Sequence, residues 1–330
     1  MSSGSGTNVS NNVTGISIVC TPTPPRFAYV VNGDGTNYSV LVCSFATDGV
    51  TMSACQNTNL DAATYPSFSY PQGITFNNDG SRAYVTTYTS SALGPVAWEC
   101  VVNSSDGTFS SCSSYVITSP SSYFQAYGMV ALNNTNTTAY IVDYYGADVL
   151  LCPLNNSGAF SSSVCTSSGV TSLSNPIGIA LDSAGTTAYI GGSGSGVSVC
   201  TVSVGAFTTC INKTGDGTIS FNNVYDVALN RAGTLIYITE PYSNNVYACS
   251  TSPNFSSTFS SCFNVSGSNS FNTPYGIVLN RAGTMAYLTS NADPGNTYEC
   301  PVKNDGTFDS CVSYNPGSVF KYATAITLVY

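Results

Sequence analysis

The side chains that could do chemistry in this sequence are carboxylates and tyrosines, because histidine is absent and only 7% of the residues are charged. Without histidine, the Ser–His–Asp and Cys–His arrangements of nucleophilic catalysis cannot form. Carboxylates beside tyrosines could instead hold a divalent cation, transfer protons or bind a sugar. We predict a ligand-binding face from Asp34, Asp143, Tyr144, Tyr145, Asp148, Glu240, Tyr242 and Asp293. The alternative is that these are solvated turn residues, where Asp is favoured in any case.

No cofactor, metal site or catalytic residue is predicted. A Ca²⁺ ion would need several converging carboxylate and carbonyl oxygens. The segments that carry the acidic residues differ from one part of the chain to the next, and Gly191-Gly-Ser-Gly-Ser-Gly offers no carboxylate. Because no acidic ring recurs, Ca²⁺ is an alternative that the sequence does not support.

The elements that must position these side chains form an internal repeat. A stretch of the form Ala-Tyr-(Val/Ile/Leu), once Ile-Tyr-Ile, recurs at 28, 83, 139, 188, 236 and 286. In all copies but the first, a second apolar stretch precedes it across a Gly-containing turn, as in Gly178-Ile-Ala-Leu. Two further stretches follow, and each ends in cysteine. Four short strands in units of about 50 residues predict an all-β fold, a six-bladed β-propeller with four-stranded blades.

Two repeats resemble the NHL and YVTN type of propeller most closely. They read Asn175-Pro-Ile-Gly-Ile-Ala-Leu with Thr187-Ala-Tyr-Ile, and Thr273-Pro-Tyr-Gly-Ile-Val-Leu with Met285-Ala-Tyr-Leu. The resemblance covers nearly the whole chain and implies an architecture shared by binding proteins and enzymes. The paired cysteines of this sequence depart from that pattern.

Thirteen cysteines divide into one pair for each repeat and one remainder. Neighbouring antiparallel strands bring facing residues within disulfide range, and zinc is disfavoured by the absent histidine and the long spacing. We predict the disulfides Cys43–Cys55, Cys100–Cys112, Cys152–Cys165, Cys200–Cys210, Cys249–Cys262 and Cys300–Cys311. Cys20 is left either unpaired or paired between chains. Six disulfides predict an oxidising compartment, outside the cell or at its surface.

The two chain ends compete for one strand position. The first repeat lacks a first strand, and the segment from Ala323 to Tyr330 is in phase with Gly276-Ile-Val-Leu, so it is predicted to close the ring. Residues 1–19 then form an arm before a propeller of residues 20–330. The arm lies along its own propeller, or one terminal strand pairs with a neighbouring copy and builds a filament. The candidate assembly strands contain Val13, Ile16, Ile18, Ile326, Leu328 and Tyr330.

Composition and net charge reduce the number of function classes that fit the sequence. A net charge of −9 disfavours nucleic acid as a partner, and no apolar run is long enough to span a membrane. We predict a secreted or cell-surface propeller that is not an enzyme, with a structural or adhesive role as the subunit of an extracellular filament. Its partner would be a second copy of itself or an extracellular surface or glycan. The alternatives are a lectin-like ligand-binding propeller and a lactonase-like metal-dependent enzyme.

Overall fold

The computed structural model describes residues 23–33, 38–88, 96–118, 128–170, 173–194, 196–251, 256–315 and 319–330. These residues form six four-stranded antiparallel sheets, and the described part of the chain contains no helix. It therefore offers no helical segment suited to crossing a bilayer. The predicted all-β six-bladed propeller is confirmed.

The strands follow one another in chain order, blade by blade. Blade 1 contains β1 (Phe27–Asn32), β2 (Ser39–Phe45) and β3 (Met52–Asp61). Blade 2 contains β4 (Pro71–Phe76), β5 (Arg82–Thr87), β6 (Val96–Val102) and β7 (Phe109–Val116). Blade 3 contains β8 (Val130–Leu132), β9 (Thr138–Asp143), β10 (Asp148–Pro153) and β11 (Thr166–Ser167).

The second half of the chain repeats this plan. Blade 4 contains β12 (Pro176–Leu181), β13 (Thr187–Gly192), β14 (Gly196–Ser203) and β15 (Ala206–Lys213). Blade 5 contains β16 (Val227–Leu229), β17 (Leu235–Glu240), β18 (Asn245–Ser250) and β19 (Cys262–Asn264). Blade 6 contains β20 (Pro274–Leu279), β21 (Met285–Ser290), β22 (Thr297–Pro301) and β23 (Val312–Tyr314), and β24 (Ala323–Val329) follows.

The ring closes through β24, which is the innermost strand of blade 1 in the order β24-β1-β2-β3. Ile326 lies opposite Val30 and Leu328 lies opposite Ala28, so the predicted closure is confirmed. Two of the C-terminal assembly candidates, Ile326 and Leu328, are therefore paired within their own chain, and Tyr330 directly follows the strand. The arm of residues 1–19, its candidates Val13, Ile16 and Ile18, and Cys20 lie outside the described residues.

The core lies between neighbouring blades, where the recurring tyrosines of the second strands pack. Those at 29, 84, 140, 189, 237 and 287 are 0–6% exposed. The Tyr29 hydroxyl donates to the Gly107 carbonyl in the next blade at 2.8 Å, and Tyr237 donates to Gly306 at 3.0 Å. Burying a large ring while satisfying its hydroxyl fixes the position of one blade against the next.

The six predicted disulfides are present, one in each blade, and they join the third strand to the fourth strand or the segment leading into it. Their Cα–Cα separations are 4.0–4.5 Å, as expected for residues facing each other across an antiparallel pair. The outer strands are short in several blades, down to the two residues of β11. A cross-link at this position holds strands that bury little surface of their own.

Candidate functional site

Antiparallel order gives the ring two distinct faces. The upper face carries the turns between second and third strands and the connections between blades. The lower face carries the turns between first and second strands and between third and fourth strands. Seven of the eight predicted ligand-binding residues belong to segments of the upper face, and the eighth, Asp34, lies outside the described residues.

Three of the predicted carboxylates are engaged in holding upper-face loops. Asp143 is fully buried and accepts the Gly146 N–H at 2.9 Å. Asp148, which lies opposite Asp143, accepts the Ser168 hydroxyl at 2.7 Å. Glu240 accepts the N–H of Asn222 at 2.6 Å. These contacts satisfy carboxylate oxygens with local donors, so the structure gives these three residues a positioning role in the loops.

The remaining predicted residues are spread over three blades. Tyr144 stacks edge-to-face on Tyr145 at 4.9 Å in blade 3, and its hydroxyl lies 3.1 Å from that of Ser193 in blade 4. Tyr242 in blade 5 is 73% exposed, and Asp293 in blade 6 is exposed. The structure therefore does not gather the predicted set into one cluster.

A central channel runs between the six innermost strands and encloses a cavity of about 280 Å³. One β-branched side chain from each blade forms a ring around it, contributed by Ile74, Val130, Ile179, Val227, Ile277 and Ile326. Asp226 lies just above this ring and is the single charged residue among the described residues that line the cavity. The channel is thus an apolar tube with one ionisable group near its upper end.

Asp226 occupies a repeat position where other blades have small or apolar residues. The strand registers align it with Gly73, Met129, Gly178, Gly276 and Ala325. Glycine at this position permits the inner strands to touch, since a Cβ on Gly178 would lie 2.7 Å from the Cα of Asp226. Between blades 5 and 6 the Asp226 carboxylate bridges the two strands instead.

Two backbone N–H groups hold the Asp226 carboxylate. Oδ2 accepts the Ile277 N–H of blade 6 at 2.9 Å, and Oδ1 accepts the Val227 N–H at 2.8 Å. Burial raises the pKa of Asp226 to about 7, against the opposing effect of these hydrogen bonds. A carboxyl group with this pKa exchanges its proton near neutral pH, which is the property of a general base or acid.

Three tyrosines cluster on the upper face, and one of them, Tyr225, directly precedes Asp226 in the sequence. The Tyr225 ring lies 4.1 Å from that of Tyr275 and 6.4 Å from that of Tyr242. Burial raises the pKa of Tyr225 above its usual range, and hydrogen bonding with Tyr275 adds to this effect. Tyr225 therefore stays protonated and can donate a hydrogen bond to a ligand oxygen. Tyr242 is the one predicted ligand-binding residue that belongs to this cluster.

Two other buried carboxylates lie away from the channel, on third strands. Glu99 is paired with Arg82 and accepts the Tyr115 hydroxyl at 3.2 Å. Glu299 accepts the Met52 N–H of blade 1 at 2.8 Å, and burial raises the pKa of Glu299 to about 7. Both contacts join strands or blades, which makes these glutamates structural.

The described residues do not fit a metal site. No group of three or more His, Cys, Asp or Glu side chains comes together in the part of the chain that the structure describes. Ca²⁺ takes six to eight oxygen ligands, whereas the channel supplies one carboxylate whose oxygens both accept backbone N–H groups. We therefore derive no chemical step through a metal.

No known protein-family profile and no curated protein matches the sequence. Many solved structures match the fold. The periplasmic gluconolactonase of Pseudomonas aeruginosa has a TM-score of 0.60 at 12% identity, over 94% of this chain and 89% of that chain. A candidate 6-phosphogluconolactonase from Bacteroides fragilis has a TM-score of 0.60 at 11% identity, over 94% and 99%. A second such protein, from Bacteroides uniformis, has a TM-score of 0.61 at 9% identity, over 93% and 100%.

At these identities the likeness establishes the fold, and the expected resemblance to other propellers is confirmed at the level of architecture. The names of the neighbours contradict two predictions. A non-catalytic structural, adhesive or filament-forming role, and the absence of enzymatic activity, are wrong in the light of neighbours named as lactonases. Those predictions depended on absent histidine and a missing acidic ring, but a single buried carboxylate can accept a proton without either.

Sequence reasoning missed Asp226. The signal was present, because Asp226-Val-Ala-Leu carries a carboxylate where the aligned repeats Gly73-Ile-Thr-Phe, Gly178-Ile-Ala-Leu and Gly276-Ile-Val-Leu carry glycine. A charged residue in the innermost strand of a propeller must face a channel or a blade interface, and either environment shifts its pKa.

Proposed function

We propose that this chain is a hydrolase of sugar lactones in which Asp226 is the general base. The observation that carries the proposal is the placement of one carboxylate with a pKa of about 7 in an otherwise uncharged channel. The names of the propellers with a similar fold support the same reaction class. A cavity of about 280 Å³ suits a ligand the size of a monosaccharide.

Lactone hydrolysis needs a base, a water molecule and a donor to the carbonyl oxygen. The Asp226 carboxylate takes a proton from water as the water oxygen bonds to the lactone carbonyl carbon, and the carbonyl electron pair moves to its oxygen. Tyr225 donates a hydrogen bond to that developing oxyanion, and Tyr275 orients Tyr225. Collapse restores the C=O bond and breaks the ring C–O bond, and Asp226 returns its proton to the leaving oxygen. The product is a hydroxy acid, and Asp226 is again ionised.

The six disulfides support an oxidising compartment. We propose that the enzyme acts in the periplasm or outside the cell. The low charged fraction of 7% agrees with this assignment, since hydroxyl and amide groups supply most of the polar surface.

The experiment is a pH-stat assay of the purified protein with glucono-δ-lactone and 6-phosphogluconolactone, corrected for spontaneous hydrolysis. Asp226→Asn should abolish the enzymatic rate. Asp305→Asn is the matched control, because Asp305 bonds only its own turn through Thr307 at 2.6 Å on the lower face. An Asp226→Asn variant with wild-type turnover would remove Asp226 from the mechanism, and no turnover of any sugar lactone would overturn the proposal.

Binding of an oligosaccharide on the upper face, beside the lactonase site, is the second candidate function. Its support is the placement of the four exposed tyrosines among the described residues. Tyr70, Tyr145, Tyr242 and Tyr322 are 41–73% exposed, and all lie in upper-face loops. Aromatic faces of this kind bind sugars, and saturable binding of an oligosaccharide that weakens in Tyr145→Ala or Tyr242→Ala would support this function.

A further inference from the structure

A second cavity, of about 240 Å³, opens on the lower face beneath blades 1, 2 and 6. It shares Thr75 and Thr327 with the lining of the central channel, so the two cavities adjoin. We name it the Arg281 pocket, after the one cationic residue that lines it. A ligand in the channel therefore has this pocket directly below it.

The Arg281 guanidinium is held in a defined place. Its Cζ lies 4.1 Å from the centre of the Tyr330 ring, and the Arg281 backbone N–H donates to the Tyr330 hydroxyl at 2.5 Å. A guanidinium stacked on an aromatic face keeps its N–H edges available. Those edges form a planar fork whose geometry matches a carboxylate or a phosphate.

Arg281 has no ion pair among the described residues, where the pairs are Arg82–Glu99 and Lys303–Asp309. This is unexpected in a chain with 16 acidic and only 7 basic residues. Asp79 lies in sequence between the lining residues Asn78 and Gly80, and its carboxylate accepts the Ser81 N–H of its own turn at 2.9 Å. An unpaired guanidinium beside a cavity is a site for an anion.

A second arginine, Arg231, lies on the turn next to the one that carries Arg281. The turns Asn230-Arg-Ala-Gly-Thr and Asn280-Arg-Ala-Gly-Thr are identical and occupy equivalent positions in blades 5 and 6. The Cβ of Arg231 lies 3.9 Å from where a Cβ on Gly283 would be, so the two turns are neighbours. Arg231 also has no ion pair among the described residues.

We infer that the Arg281 pocket binds the oxyanion of a sugar acid, either a carboxylate or a phosphate. The identity of the ligand as a sugar acid rests on the proposed function, because lactone opening creates a carboxylate and a phosphorylated lactone already carries an anion. The binding of an anion by Arg281 rests on the pocket alone.

The test is isothermal titration of the wild-type protein with 6-phosphogluconate, gluconate, glucose and inorganic phosphate. We expect saturable binding of the two sugar acids and none of glucose, and a weaker affinity as KCl is raised. Arg281→Gln should weaken sugar-acid binding roughly tenfold or more through the lost charge-assisted hydrogen bonds. Arg231→Gln should weaken it by about two- to threefold through longer-range attraction.

Two controls separate folding and general charge effects from anion binding. Lys303→Gln removes another exposed cation of the lower face, which pairs with Asp309, and it should leave the affinity unchanged. Arg281→Lys keeps the positive charge but lacks the planar guanidinium fork, should fold as the wild type does, and should bind with intermediate affinity.

Equal sugar-acid affinities for wild type and Arg281→Gln would overturn the inference, as would binding of inorganic phosphate alone. Either result leaves the lactonase proposal standing if lactone turnover is seen. Conversely, Arg281-dependent binding without any turnover sustains the anion site and rejects the proposed function.

Discussion

Asp226 on the inner strand of blade 5 accepts a hydrogen bond from the backbone N–H of Ile277 on the inner strand of blade 6, with Oδ2 and N 2.9 Å apart. The carboxylate thus joins two blades while it lines the channel. Asp226 therefore holds two blades together and also has the proposed role of general base. Substitution and a change of pH affect these two roles differently.

The pH dependence of lactone hydrolysis should follow the protonation of Asp226. A base acts only when deprotonated, and the pKa of Asp226 is about 7. We therefore expect kcat/KM, after subtraction of spontaneous hydrolysis, to rise about tenfold per pH unit below about 7 and to level off above it. Stopped-flow or pH-stat rates between pH 5 and 8.5 measure this profile. A profile that is flat across pH 7 would contradict the role of Asp226.

Stability should change with pH in the opposite direction. Unfolded Asp226 has the ordinary pKa of 3.8, and the folded value is about 7, so between these values the native state holds a proton that the unfolded state has released. The free energy of unfolding must then fall as pH rises from about 4 to 7. Asp226→Asn has no ionisable group at this position, and we expect it to be more stable than wild type by roughly 4 kcal/mol at pH 8.

Thermal unfolding at pH 4 and pH 8 tests this prediction, since the two proteins should unfold at similar temperatures at pH 4. Glu299→Gln is an independent comparison, because burial also raises the pKa of Glu299 to about 7 at a place away from the channel. Glu299→Gln should also be more stable than wild type at pH 8, and its rate of lactone hydrolysis should be unaltered. A variant less stable than wild type at pH 8 would mean that the lost Ile277 contact outweighs the buried charge.

Close approach of the inner strands should be required at Gly178. A Cβ there would lie 2.5 Å from the Tyr225 carbonyl oxygen and 2.7 Å from the Asp226 Cα. Gly178→Ala must push the strand that carries Asp226, and we expect a loss of about 1–3 kcal/mol in stability together with a large fall in kcat. Urea unfolding and the lactone assay measure the two effects.

Gly73→Ala is the matched control for that variant. Its Cβ would lie 2.6 Å from the Met129 Cα at the junction of blades 2 and 3, where no channel carboxylate is attached. We expect a similar loss of stability with kcat close to wild type. If both variants lost kcat equally, the effect would be a general distortion of the ring.

The disulfides should contribute separately and nearly equally. The cysteines of each pair are 10–13 residues apart in sequence, and closing loops of this size constrains the unfolded chain by about 3 kcal/mol each. Replacing Cys200 and Cys210 together by serine should lower the unfolding free energy by about 2–3 kcal/mol while the fold persists. Denaturant titration, with mass spectrometry to count the remaining disulfides, provides the measurement. An unchanged midpoint would show that the cross-link adds nothing to the strand pairing of blade 4.

The fold was predictable because two signals with different causes agree. The Ala-Tyr stretches mark the buried second strand, and the cysteine pairs mark the outer two strands, so each counts the blades independently. Ring closure was predictable from the phase of Ala323–Val329. Blade 3 differs from the glycine pattern of the other repeats, since Ala131 lies opposite Tyr140 and this places Met129, and not Gly128, at the position of Asp226.

The site was harder to predict because carboxylate chemistry depends on surroundings that a sequence does not display. Asp143 and Glu240 lie next to tyrosines in the sequence, which suggested a binding site. In the structure each carboxylate instead accepts a hydrogen bond from a nearby backbone N–H. Asp226 lies in an apolar strand segment, and in the sequence it is simply a substitution of the glycine found in most copies of the repeat. Its burial, its contact with Ile277 and its raised pKa arise only when six strands converge on one axis.

The pairing of β24 with β1 also sets the timing of folding. Phe27 lies opposite Val329, so β1 gains its inner neighbour only after the chain has been made as far as β24. Contacts so distant in sequence form late and slowly. Blades 2 to 6 can each assemble from a continuous stretch, whereas blade 1 needs segments from both sides of the other five blades. The ring therefore cannot close until those five blades have been synthesised, and blade 1 is the blade whose strand pairing must form over the longest sequence separation.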